Sequence, residues 1–231
     1  AGFFAVAIIL ALGFFGCMVQ SNSIGSTFET AFGIPAWIVG VVLVVICAVI
    51  FLGGVQRLAA VTEKVVPIMA GMYVISGLFI ILINIRAVPG VLADIFAGAF
   101  GLRAVGGGVL GSMLIAMQKG VARGLYSNEA GEGSAPVLHS AAEVDHPVEQ
   151  GLTGVTEVFL DTFVICTITG LVLGVTGVLD SGLPGEVLAL YAFASVWEPL
   201  RYVLTISLLL FSGTSLMSQW YFGFAGLNYI F

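Results

Sequence analysis

The sequence predicts an all-α integral membrane protein. Apolar residues make up 59% of the 231 residues and Asp, Glu, Lys and Arg only 9%, against about a quarter charged in soluble domains. Mean hydropathy is +1.14. Apolar runs of about 20 residues, enough to cross a bilayer, recur along the chain with Gly and Pro clustered between them. In lipid each run must satisfy its own backbone hydrogen bonds, so helix is the conformation open to it. The expectation is one transmembrane domain over residues 1–231, crossing the membrane several times.

The spans follow from length and punctuation. Gly2 to about Thr27 is the first and Pro35–Gly53 the second, with Pro35 in its first turn and Gly53-Gly54 at its end. Val65–Ile85 is the third. Val88-Pro89-Gly90 opens a connection, and Val91–Phe100 is too short to span, so it reads as a surface helix with Asp94 in water. Gly107 to about His139 is an interrupted span. Asp145 reads as the N-cap, with Pro147 just inside, of a helix over Gly151–Val178. A turn-rich stretch at residues 180–185 precedes Tyr191 to about Phe231, which is long enough to contain a bend or a surface turn. Arg57 and Lys64 mark one connection and Arg86 and Arg103 the next, so the positive-inside count is a tie.

Neither end has the look of a natural terminus. No initiator Met, basic segment or cleavage site precedes the apolar run from Phe3, and the chain stops inside the aromatic run Trp220–Phe231. The expectation is a fragment of a longer protein. Cys17, Cys47 and Cys166 each stand alone in an apolar span and read as small buried hydrophobes. A formal charge of −6, with no Lys/Arg run or zinc-finger spacing, argues against nucleic acid as a partner.

Four polar sites interrupt the apolar spans. Gln20, in Gln20-Ser21-Asn22-Ser23, needs a hydrogen-bond partner in hydrocarbon, and a neighbouring helix or a bound solute would serve equally. The second site, Arg123-Gly124-Leu125-Tyr126-Ser127-Asn128-Glu129-Ala130-Gly131-Glu132-Gly133-Ser134, has Gly124, Gly131 and Gly133 to let a helix unwind. An unwound helix exposes carbonyls that suit a cation or ammonium, and N–H groups that suit a carboxylate. Ser127 and Asn128 add oxygens, and Arg123 is a candidate partner for Glu129. A broken helix is favoured over a loop between two short apolar segments. Asp161-Thr162 is the third site: an intramembrane carboxylate is functional by default, a packing Asp with a buried donor being the alternative. The fourth is Ser212-Gly213-Thr214-Ser215, followed by Gln219-Trp220-Tyr221. Taken alone, its aromatics read better as interfacial anchors than as a pocket wall. His139 and His146 match no metal spacing and read as loop or helix-end residues.

The run Ala122–Gly131 followed by Gly133-Ser134-Ala135-Pro136 resembles the alanine or glycine:cation symporter family, the sodium:alanine symporters, whose pattern is RGL-aromatic-SNEAGxGSA. His146-Pro147-Val148-Glu149-Gln150-Gly151, Phe159-Leu160-Asp161-Thr162, Met18–Ser23 and Val65–Tyr73 continue the resemblance over nearly the whole chain. It implies a LeuT-like fold of two inverted five-helix repeats with helices 1 and 6 unwound, of which the spans here are helices 3 to 8. It implies a substrate pocket with Gln20, Tyr126, Ser127, Asn128 and Trp220, and weaker ion-binding roles for Asp161, Thr162 and Ser215. The implied activity is sodium-coupled symport of a small neutral amino acid, alanine or glycine, by alternating access, with no enzyme chemistry and no cofactor beyond the coupling sodium.

This chain departs from the family pattern at three places. Glu132 stands where members carry Met or another apolar residue, and is read as facing water. Gly16-Cys17-Met18-Val19-Gln20 replaces GNMVQ but keeps the Gln. The helix 8 pattern F-S-T-x-x-G-W matches least well: aligned on Trp220, it puts Ser215 and Leu216 at the Ser-Thr pair and Gln219 at the Gly. Two other function classes are weighed. An intramembrane protease needs facing aspartates, a Ser–His pair or HExxH, and only Asp161 lies deep in a span. A passive channel would need pore-lining rings.

Overall fold

A computed structural model describes residues 1–99, 109–129 and 131–231. Every regular element among them is helical. The start of the interrupted span at Gly107, and Arg103 with it, lies outside the described residues. Four helices are long and apolar enough to cross a membrane: α1 (Gly2–Phe32), α3 (Gly54–Ile83), α7 (Pro147–Thr176) and α9 (Leu200–Ile230). Between them lie α2 (Ala36–Phe51), α4 (Val88–Ala99), α5 (Val109–Ser127), α6 (Ser134–His139) and α8 (Gly185–Val196).

The boundaries show local chemistry at work. Gly33, at φ 68°, ends α1 in the left-handed region that glycine enters without steric cost. Leu52 and Gly53 make the whole connection from α2 to α3, so Arg57 and Lys64, expected in a connection, lie inside α3 instead. That helix also carries Pro67 in its interior. Asp145 is not the cap of α7; His146 is, its ring Nδ1 accepting from the Val148 N–H at 3.2 Å, with Pro147 in the first turn as expected. The run from Tyr191 does contain a turn: α8 stops at Val196, and Trp197, Glu198 and Pro199 lead into α9.

Two long helices are not α-helical throughout. Ile9–Gly16 in α1 and Leu160–Cys166 in α7 are π-helical. Such segments widen the helix by one residue per turn and concentrate at functional sites. Neither is marked by the pattern of residues.

The described residues form two compact units, 1–76 with 178–231, and 77–177. In the first, α1 packs chiefly on α9, and glycine faces set how closely. A Cβ on Gly13 would stand 2.8 Å from the Gly223 Cα, and one on Gly226 would stand 3.1 Å from the Ala5 carbonyl oxygen. Small residues thus let the backbones touch, the usual basis of helix association in lipid. Ile24, Val39 and Leu43 join α1 to α2, while Ile50, Leu58 and Met217 join α2, α3 and α9. In the second unit α4 lies on the C-terminal part of α7, with Val91 seated over Gly174.

Candidate functional site

In the second unit the interrupted span is two helices. α5 runs through Gly124 to Ser127, and α6 resumes at Ser134. Gly124, expected to help unwind the helix, is helical. The turn away is made by Glu129, Gly131 and Gly133 at φ 50°, 83° and 78°. Positive φ costs Gly little but is uncommon for Glu, so Glu129 is the strained position of the break.

Hydrogen bonds fix both sides of this break. The Asn128 N–H and Nδ2 both donate to the Gly124 carbonyl, at 3.2 and 3.0 Å, and the Glu129 N–H donates to the Tyr126 carbonyl at 3.4 Å. Two of the carbonyls at the end of α5 are therefore occupied by the chain itself. Ser134, fully buried at the start of α6, donates to Glu129 Oε2 at 2.8 Å. Among the described residues no ion pair joins Glu129 to Arg123. Glu132, expected in water, is half-buried.

The break is tied to α7 at two successive positions. Ser127 donates to Asp161 Oδ2 at 2.6 Å, and Thr162 donates to Asn128 Oδ1 at 3.1 Å. Asp161 and Thr162 sit in the π-helical segment, where Thr167 reaches back five residues to the Thr162 carbonyl at 3.3 Å. The arrangement gathers a carboxylate, two hydroxyls and a carboxamide, all hard oxygen donors of the kind that suits a small cation. Tyr126, on the last turn of α5, is exposed.

The other expected residues belong to the first unit, so each group is described by itself. Gln20 is half-buried on α1, directly after its π-helical segment. Ser215 is half-buried on α9. Trp220 stacks with Phe51 at 4.2 Å between ring centroids and with Phe224 at 5.2 Å. It also borders a cavity of about 220 Å³ lined by Ile9, Gly13, Phe14, Gly223, Phe224 and Leu227. Gln219 is the polar residue turned toward α1. It is buried, and a Cβ on Gly16 would stand 3.0 Å from its amide nitrogen and oxygen. Residues 219, 223 and 226 share one helical face, a spacing by which the sequence could have singled Gln219 out.

Compared with known proteins, the whole chain, residues 1–231, matches the model of the family described as the sodium:alanine symporter family. The chain belongs to the sodium:alanine symporter family. It is 37% identical over 229 residues to the amino-acid carrier protein AlsT of Bacillus subtilis (strain 168), covering 98% of this chain and 48% of that protein. To the sodium/alanine symporter AgcS of Methanococcus maripaludis it is 38% identical, over 90% of this chain and 46% of that one. To the sodium/proton-dependent alanine carrier protein of Bacillus sp. (strain PS3) it is 43% identical, over 74% and 38% respectively. The chain thus spans about half the length of the curated relatives it matches. The named relatives are amino-acid carriers and symporters, and the apolar helices of this chain are those of a membrane protein.

Proposed function

We propose that this chain works in sodium-coupled symport of a small neutral amino acid, alanine or glycine, by alternating access. The observation that carries the reading is the break itself: a helix stops at Ser127 and another starts at Ser134, and the edge of the break is tied to Asp161 and Thr162 of a helix long and apolar enough to cross a membrane. Irregular backbone at membrane depth is tolerated where it binds or lines a path. AgcS is named a sodium/alanine symporter and the PS3 protein a sodium/proton-dependent alanine carrier, which supports alanine as substrate and sodium as coupling ion.

In this reading residues 1–231 belong to one transporter domain of LeuT-like, inverted-repeat fold, crossing the plasma or inner membrane several times. The break is its unwound sixth helix, with Gln20 on the third and Trp220 on the eighth. Tyr126, Ser127 and Asn128 meet the substrate's ammonium and carboxylate at the break; in the first unit, Gln20 and Trp220 are the substrate-binding positions of this reading. Asp161 and Thr162 offer oxygens to sodium; in the first unit, Ser215 is the ion-binding position of this reading. The sodium gradient drives the cycle, each charge contributing about 2.3 kcal/mol per 100 mV of membrane potential.

The test is uptake of radiolabelled alanine by the full-length protein in proteoliposomes, with and without a sodium gradient. Saturable, sodium-dependent uptake is the expected result. Uptake indifferent to sodium, or conductance that does not saturate, would point to a channel and remove the symport reading.

A further inference from the structure

The half-helix after the break ends on His139, whose ring is held by the next helix. Gln150 Nε2 lies 2.6 Å from His139 Nδ1, and Glu157 Oε2 lies 3.6 Å from Nε2. Gln150, Gly154 and Glu157 share one face of α7 at helical spacing. Gly154 is the floor under the ring, with a Cβ there standing 3.7 Å from Nε2. Beside the ring opens a cavity of about 620 Å³ bordered by Pro136, Ser140, Gln150 and Gly154. The His139 side chain is 24% exposed, so water from this cavity can reach it.

We propose that His139 and Glu157 form a proton-binding site: a protonatable clasp between the half-helix α6 and α7. This rests on the transporter reading, because the clasp matters only if α6 moves during a cycle. Neutral imidazole with its proton on Nε2 accepts from the Gln150 amide at Nδ1 and turns its N–H toward Glu157. Protonated imidazole has donors at both nitrogens. A half-turn of the Gln150 amide then presents its oxygen to Nδ1, while the Glu157 carboxylate faces a full positive charge. Both protonation states keep their hydrogen bond, so the ring can take up and release a proton without dismantling the contact. What changes is the strength of the tie from α6 to α7.

The surrounding charges link the clasp to the break. Glu157, Glu132 and His139 all act electrostatically on Glu129. Ser134, at the other end of α6, holds Glu129 by a hydrogen bond. In the connection from α6 to α7, Glu143, Asp145 and His146 are exposed, and His146 is occupied as the cap of α7. Charge arriving at His139 thus strengthens the Glu157 contact on one side of a six-residue helix whose other side borders the substrate break. A tighter tie favours the arrangement seen here and slows departure from it.

The test is sodium-dependent uptake of radiolabelled alanine by the full-length transporter in proteoliposomes, from about pH 5.5 to about pH 8, a range that brackets ordinary imidazole. Wild-type uptake is expected to fall toward acid by about two- to fivefold, the effect of one partly exposed ion pair. His139→Gln and Glu157→Gln are each expected to flatten that profile. A flat wild-type profile, or an unchanged profile in both variants, overturns the proposal. Hydrogen exchange over residues 134–139, corrected for intrinsic rate at each pH, reads the clasp without transport. Protection should rise toward acid in the wild type and not in either variant, and identical behaviour in all three overturns the proposal. No sodium-dependent uptake by the wild type at any pH removes the transporter reading instead, and hydrogen exchange then decides the clasp by itself.

Discussion

Ser127, the last residue of α5, donates its hydroxyl to Asp161 Oδ2 at 2.6 Å, across from the point where the helix stops. One residue on, Thr162 donates to Asn128 Oδ1 at 3.1 Å. These two bonds hold the broken edge against a π-helical segment, and they join residues 34 apart in the chain. A carboxylate is thereby fixed beside the unwound backbone, among hydroxyl and carboxamide oxygens of the kind that suits a small cation.

Asp161→Asn keeps a group able to accept from Ser127 but removes the charge. Sodium-dependent alanine uptake is expected to drop about tenfold or more, the usual loss when a hydrogen-bonded charge is neutralised. The measurement is initial uptake rate against sodium concentration, with membrane yield as control. Wild-type sodium dependence in the variant would take Asp161 out of the ion path.

The Asn128–Thr162 bond is testable by a double-mutant cycle. Asn128→Ala is expected to abolish uptake while leaving membrane insertion intact. Thr162→Val should weaken the protein and its uptake less severely, and the pair in thermal stability should show a coupling of about 0.5–1.5 kcal/mol. Strict additivity would mean that the two side chains do not cooperate.

Gly13 tests the α1–α9 crossing. Its Cβ would meet the Gly223 Cα at 2.8 Å, contact with backbone that no side-chain adjustment relieves. Gly13→Ala should destabilise by about 1–3 kcal/mol, as overpacking does. Gly40 on α2 is the control, since nothing lies within 4 Å of its Cβ position. Melting of both variants in one detergent makes the comparison, and equal melting temperatures would contradict the close approach.

Phe51 tests the aromatic stack. Its ring is 4.2 Å from that of Trp220, nearly parallel at 5°. Phe51→Ala should cost about 0.5–1.5 kcal/mol beyond its buried area and shift the emission of Trp220. The shift is read in a background where Trp37 and Trp197, both exposed, are replaced by Phe. Unchanged emission would show that the stack does not form in the membrane.

Much of the architecture was legible in the residues because its causes are local. Apolar length gave the helices, and Gly131 and Gly133 gave the break, since only glycine enters the left-handed region freely. The failures share a different cause. Gly124 stayed helical, its carbonyl accepting from both the Asn128 N–H and Nδ2, and Asp145 lost the cap to His146, whose ring accepts from the Val148 N–H. Neither outcome is visible from spacing alone.

By itself the sequence determined that this chain is built of apolar helices with a polar break near its middle, and it identified the family through the residues of that break. Only the tertiary structure decided that Ser127 and Asn128 meet Asp161 and Thr162, that Gln219 and not Trp220 turns toward Gly16, and that His139 lies between Gln150 and Glu157. The reason is physical: hydropathy and backbone freedom are properties of single residues and short windows. The partner of a polar side chain, by contrast, depends on the rotation and closeness of two packed helices, which neighbouring glycines and π-helical turns set.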